Sequence, residues 1–270
     1  MNTGTATKTQ GSAEIQGDLW NERADDWAIL HEHRQSALHT AALDQLAIGA
    51  GISLLDVGCG SGTFLRSAAD RGAEVTALDA SPGLAAHARK RVLGARVEVG
   101  DSQFLPFEDA SFDVVTGINS FQYAADPRAA LAEAHRVLRD GGRMLIAVWG
   151  RAEQCDLAVV LGAAGSLMPP PPPGTPGPFA LAEEGALSGL IESVGFETLV
   201  VADVSTPIEY PDEETYVRGI GSAGPCVMIA RSVGADVLDK TFVEAGAPFR
   251  AADGSYRFDN VFRFAIGRKR

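Results

Sequence analysis

Three glycines on alternate positions, Gly58, Gly60 and Gly62, follow an apolar run at 52–55 and precede an amphipathic stretch at 64–71. A short apolar run that ends in glycine reads as a strand buried on both faces, and the stretch beyond has helical spacing. A strand that turns through glycine into a helix N-terminus is the nucleotide cradle of a doubly wound sheet. Free amides and the helix dipole meet the ligand there, and glycine lets the backbone approach where a Cβ would collide. From 52 to 148 strands and helices go on alternating, which implies a parallel sheet with its ligand at the carboxyl ends of the strands.

The detail of the loop narrows the ligand. A dinucleotide fingerprint has the form G-x-G-x-x-G. Gly58 and Gly60 fit it, but its third glycine position holds Thr63, and the glycine falls one place earlier at Gly62. Asp56 stands just before the loop. A carboxylate there repels a pyrophosphate and favours a ligand carrying positive charge. In these respects Leu54-Leu55-Asp56-Val57-Gly58-Cys59-Gly60-Ser61-Gly62 resembles the first motif of the class I S-adenosylmethionine (SAM) methyltransferases, hhD-h-G-x-G-x-G with h apolar.

The resemblance continues in order along the chain. Val75-Thr76-Ala77-Leu78-Asp79 reads as a second strand ending in an acid about 20 residues after the loop, where a carboxylate can hold ribose hydroxyls. Gly100-Asp101-Ser102 follows a third strand at 96–99, and Phe112-Asp113-Val114-Val115 opens a fourth that leads into Asn119-Ser120-Phe121-Gln122-Tyr123. Val137-Leu138-Arg139-Asp140-Gly141-Gly142-Arg143 ends a helix and begins the fifth. The match is close over 51–150 and loose elsewhere. It implies an α/β, doubly wound, seven-stranded sheet, mostly parallel with an antiparallel last strand at 261–266, and helices on both faces. It also implies SAM as cofactor and S-adenosylhomocysteine (SAH) as product. On this reading the methionine end lies on Gly58, Cys59, Gly60 and Asn119, the ribose on Asp79 and Ala80, and the adenine on Asp101 and Ser102. Taken singly, Asp79 and Asp101 equally suit loop caps.

Composition restricts partners. The net charge of −12 argues against a nucleic-acid substrate, since phosphate binding needs a basic surface. No apolar run reaches the length of a membrane span. Cys59, Cys155 and Cys226 are isolated, without metal-ligand spacing, and suit a reducing, cytoplasmic setting. The expected partner is a small-molecule substrate, with no metal, no nucleic acid and no membrane, and with the chain a monomer or homodimer.

Residues 1–13 read as a disordered lead and 14–270 as one domain. Within it, 14–50 is a helical lid whose Leu38, Ala42 and Leu46 form one stripe stopped by Gly49 and Gly51. The SAM-binding core is 51–150, with helix starts at Ser81-Pro82 and Asp126-Pro127 and a stop at Gly141-Gly142. A Pro-rich connector occupies 151–180, extended through Pro169 to Pro173 and bordering the pocket. Segments 181–206 and 257–270 complete the sheet, and 207–256 is a mostly helical cap insertion over the substrate.

Methyl transfer from SAM is an in-line displacement for which the protein supplies alignment and exclusion of water. A base is needed only where the acceptor must lose a proton early. In methyltransferases similar to this chain a helix before the core folds over the cofactor. Here that helix carries Trp20 and Trp27 on one face, suited to capping the sulfonium or to sealing the lid on the core. His31, His33 and His39 follow, and His31 and His33 are the candidate base or substrate-orienting groups. Trp27, Phe121, Tyr123, Tyr216 and Met228 are candidate walls of the substrate pocket, or core packing. A SAM-binding enzyme of cyclase type and a non-catalytic nucleotide-binding scaffold are the alternative functions.

Overall fold

A computed structural model describes residues 11–170, 172, 175 and 177–270. The lid begins with α1 (Ala13–Glu22), breaks at Arg23, and resumes in the short α2 (Ala24–Asp26). A π-turn at Trp27–His31 and a 3₁₀ turn at Glu32–Gln35 then lead into α3 (Ser36–Gln45). The lid is therefore a chain of short helical pieces, not the single run that periodicity suggests. The core follows as β1 (Ser53–Val57), α4 (Thr63–Asp70), β2 (Glu74–Asp79), α5 (Pro82–Arg91), β3 (Arg96–Val99), β4 (Phe112–Ile118), α6 (Pro127–Val137) and β5 (Leu138–Trp149). Both Pro-headed helices start as expected. Ser81 Oγ accepts from Leu84 N, and Asp126 Oδ1 accepts from Arg128 N and Ala129 N.

Beyond the core come α7 (Leu157–Gly165), α8 (Ala186–Glu192), β6 (Phe196–Ser205), β7 (Ile208–Tyr210), α9 (Glu213–Gly221), α10 (Gly224–Val233), α11 (Ala235–Gly246), β8 (Tyr256–Phe258) and β9 (Val261–Lys269). Seven strands form one sheet in the order β3-β2-β1-β4-β5-β9-β6. β9 runs antiparallel to both β5 and β6, while the other pairs are parallel. The order in which the chain visits the strands reverses between β1 and β4, which opens the ligand crevice of such sheets at the ends of those strands. Alternate residues of β1 serve opposite faces. Leu54 packs with Phe64, Leu65 and the lid stripe Leu38, Ala42 and Leu46, whereas Leu55 packs with Val115, Leu131 and Ile146.

Three expectations need correction. The 151–180 connector contains α7, which packs Leu157, Val160 and Ala164 against α11 and the core; its exposed face is itself apolar or glycine, with Val159 55% exposed, so no polar stripe betrays it. The extended reading of the proline run falls partly on residues outside those described. Gly141-Gly142 does not stop a helix: α6 ends at Val137, and these glycines lie in the irregular start of β5, with Gly141 at φ +77°. The 207–256 insertion is helical over α9–α11 but also closes a two-stranded ribbon, β7 against β8, that its composition does not announce.

Candidate active site

The loop after β1 requires glycine. Gly58, Gly60 and Gly62 have φ of +73°, +56° and +83°, values L-residues seldom adopt. A Cβ on Gly58 would collide with the Ser120 side chain, and one on Gly60 would lie 2.7 Å from Glu32 Oε2. The loop is pinned to the second strand, because Gly58 N and Cys59 N both donate to Leu78 O, at 2.7 and 3.1 Å.

Around it lies a chamber of about 920 Å³, a volume that includes its open mouth. Asp56, Gly58, Cys59, Gly60, Asp79, Ala80, Asp101, Ser102 and Asn119 all line it, as do Trp20, Trp27 and Tyr123. The sheet brings them together because each follows the carboxyl end of its strand or descends from the lid above.

The acids carry the electrostatics. Asp79 Oδ2 accepts from Gly60 N and Oδ1 from Ser81 N, each at 2.8 Å, which fixes the carboxylate and leaves a lone pair on each oxygen for a diol. Asp56 accepts from Thr116 Oγ1 at 2.7 Å. Burial lifts both carboxyls from their ordinary value to about 7, and Glu32 nearby adds to the rise. Asp101 holds the lid: its Oδ2 accepts from Ala13 N at the start of α1, and its Oδ1 from Gln103 N, both at 2.8 Å. Asn21 of α1 likewise accepts from Gly83 N at 2.7 Å. The lid is thus stitched to the first turn of α5 and to the loop that follows β3.

Trp20 and Trp27 meet edge to face at 4.8 Å, and Trp20 also meets Tyr123 at 5.6 Å, so the two indoles converge over the chamber despite the broken helix. Asn119 takes a left-handed φ of +50°, and its Oδ1 accepts from Gln122 Nε2 at 3.1 Å. Among the described residues three buried side-chain atoms lack a hydrogen-bond partner: His39 Nδ1, Ser120 Oγ and Gln122 Oε1. His39 and Ser120 line the chamber. Such orphaned atoms suit a site that takes a polar ligand.

The remaining sequence candidates fall elsewhere. His31 is buried, stacks on Trp27 at 4.6 Å and shares a 2.7 Å hydrogen bond with Tyr210 Oη, so it braces the lid against the ribbon. Burial first, then Arg34 and His33, depress its pKa to about 3, which keeps it neutral. His33 is exposed, and neither histidine lines the chamber. Phe121 is wholly buried in the opposite face of the sheet. Tyr216 stacks on Tyr256 at 4.6 Å inside the insertion, and Met228 is 45% exposed on α10. The insertion backs the lid from outside instead of walling the chamber, through Arg231 with Asp18 and Glu22 and Arg218 with Asp26.

What sequence reasoning passed over is Glu32 and Gln35, and His39, named with the other lid histidines, was not chosen as a site residue; all three line the chamber. Glu32 accepts from Ser61 N (2.6 Å), Thr63 N (2.9 Å) and Trp27 Nε1 (2.9 Å), occupying the amides at the start of α4. Their spacing, i, i+3 and i+7, puts three polar groups on one face of a helical segment, where all three are buried, and that spacing was the available signal.

A family model described as a methyltransferase domain matches residues 55–146. A malonyl-[acyl-carrier protein] O-methyltransferase of Geobacter sulfurreducens is 30% identical over 211 residues, covering 74% of this chain and 78% of the relative. The same-named protein of Serratia marcescens is 43% identical over 95 residues, which span 35% of this chain and only 37% of that relative. The structure of the YcgJ protein of Bacillus subtilis overlays 86% of this chain and 97% of its own with a TM-score of 0.59 at 20% identity, a likeness of fold. The chain belongs to the class I SAM-dependent methyltransferases.

Proposed function

We propose that the protein transfers the methyl group of SAM to an oxygen of a small, largely apolar or aromatic acceptor, releasing SAH. The observation that carries this reading is the chamber in which the glycine loop, the Asp79 and Asp101 carboxylates and the lid converge. The residues present fit the cofactor. Asp79 has free acceptor capacity for the ribose, Asp101 and Ser102 stand at the adenine position, and the positive-φ glycines and Asn119 border the methionine end. Bound SAM supplies an electrophilic methyl carbon on a sulfonium. The chain's own part is to hold the acceptor in line, to shut out water beneath the lid, and to place no colliding side chain along the loop.

Trp20, Trp27, Phe64, Leu84, Ile118 and Tyr123 give the chamber an apolar wall, which supports an apolar acceptor. The names of the relatives support oxygen as the methylated atom. His39, buried and lowered by burial to about 4, is neutral above that pH and offers its free Nδ1 to an acceptor hydroxyl; His31 and His33 are bystanders. A biosynthetic role in a cytoplasmic setting accords with three buried, unbridged thiols and an acidic surface. The test is turnover with SAM labelled at the methyl against a panel of phenols, carboxylic acids and amines. Label in an O-methyl product, with SAH formed in equal amount, is the expected result. Product of unchanged formula would instead indicate cyclase-type use of the cofactor.

A further inference from the structure

The chamber holds three carboxylates from three separate segments: Glu32 from the lid, Asp56 from β1 and Asp79 from β2. They are 6%, 2% and 7% exposed. Among the described residues no lysine or arginine lines the chamber. The nearest cation to Glu32 is Arg91, whose Nη1 stands 3.9 Å away and is already donating to Ser61 O and Thr63 Oγ1. The buried charge is therefore met mainly by backbone amides, the Trp27 indole and the Thr116 hydroxyl, with Arg91 at the limit of ion-pair distance from Glu32 and no cation within 4 Å of Asp56 or Asp79 among the described residues. A second feature of the same chamber points to a polar ligand: His39, 5% exposed, presents an Nδ1 with no partner in the folded chain.

SAM and SAH have the same ammonium, carboxylate and nucleoside, and differ by one methyl group and the positive charge of the sulfonium. A chamber with three buried acids and one peripheral cation distinguishes them by that charge, and more strongly the drier the site. Resting on the reading of the site as a SAM site, we infer that the lid carboxylate Glu32, with Asp56, makes this chamber selective for the charged donor over the spent product. Glu32 does so as a positioning residue. It anchors the lid on Ser61 N and Thr63 N and thereby brings a third carboxylate to the chamber. Release of SAH then follows from loss of the sulfonium, because the acids lose that counter-charge when the methyl leaves.

The test is calorimetric titration of the wild-type protein, E32Q and D56N with SAM and with SAH, with thermal unfolding to verify the fold. Glutamine keeps the shape and one acceptor while removing the charge. We expect the Kd for SAM to rise about tenfold or more in E32Q, the change worth one pairwise charge interaction, while the Kd for SAH moves less than about threefold. D56N, in the floor of the chamber, should shift the ratio in the same direction, which keeps the idea testable where E32Q loosens the lid. Equal loss of both ligands in both variants would reduce Glu32 to a mechanical anchor and overturn the inference. Tight wild-type binding of both ligands with an unchanged ratio in both variants would overturn it as well. Failure of the wild type to bind either ligand would instead overturn the functional reading beneath it.

Discussion

Asp56 is the most informative place to perturb, because burial and neighbouring acids oppose its ionisation while its function calls for charge. Its carboxyl is 2% exposed, holds one hydrogen bond from Thr116, and has its pKa lifted from the ordinary 3.8 to about 7, by burial first and then by Glu32 and Asp79. Below the ordinary value the group is protonated in both folded and unfolded chains and contributes nothing. As pH rises from there to about 7 the unfolded chain ionises while the folded chain does not, so stability falls; above about 7 the loss is complete. A rise of about three pKa units corresponds to about 4 kcal/mol. An asparagine at this position has no such cost and can still accept from Thr116. The substitution D56N should therefore stabilise the ligand-free protein by up to about 4 kcal/mol at about pH 8, and by roughly 2 kcal/mol or less at about pH 5. Chemical denaturation of both proteins across that range measures it. A stability difference that is independent of pH, or that favours the wild type more as pH rises, would refute the reasoning.

Three further outcomes follow from the same geometry. D79A should weaken SAM binding by about 1–3 kcal/mol, as befits loss of charge-assisted hydrogen bonds, and unchanged affinity in calorimetry would remove Asp79 from the site. Binding of SAM should release protons near pH 7 and tighten as pH rises through that region, since a cation favours the ionised forms of Asp56 and Asp79; calorimetry in buffers of different ionisation enthalpy reads the release. The double variant H31Q/H33Q should keep its turnover and pH–rate profile and lose about 1 kcal/mol of stability through the Tyr210 hydrogen bond, so a collapsed kcat with intact folding would return one of these histidines to the chemistry.

The strand-end half of the chamber was legible because its signals are local. Asp56, Asp79 and Asp101 each close or follow a strand that its own periodicity marks, and glycine is the residue the turn demands, so adjacent positions carried the message. The Ser81-Pro82 and Asp126-Pro127 caps were legible for the same reason. The lid half was not. Glu32 acquires its role from amides 29 and 31 residues away, and His31 is fixed by a tyrosine 179 positions downstream. Spacing put His31 and His33 beside His39 as equals, and only the π-turn and 3₁₀ turn after Asp26 decide that His39 faces the chamber while His31 faces the ribbon. Tyr216 and Met228 were plausible pocket walls by type. The ribbon of β7 and β8, joining strands separated by three helices, turns the insertion's aromatic cluster onto itself.

The most direct measurement is calorimetric titration of the purified protein with SAM, SAH and NAD. Binding of SAM and SAH with no detectable binding of NAD is the predicted result, because the early third glycine and the acids around the loop suit a cationic sulfonium ligand and repel a pyrophosphate. Binding of NAD with none of SAM would contradict the reading of the loop and of everything built on it.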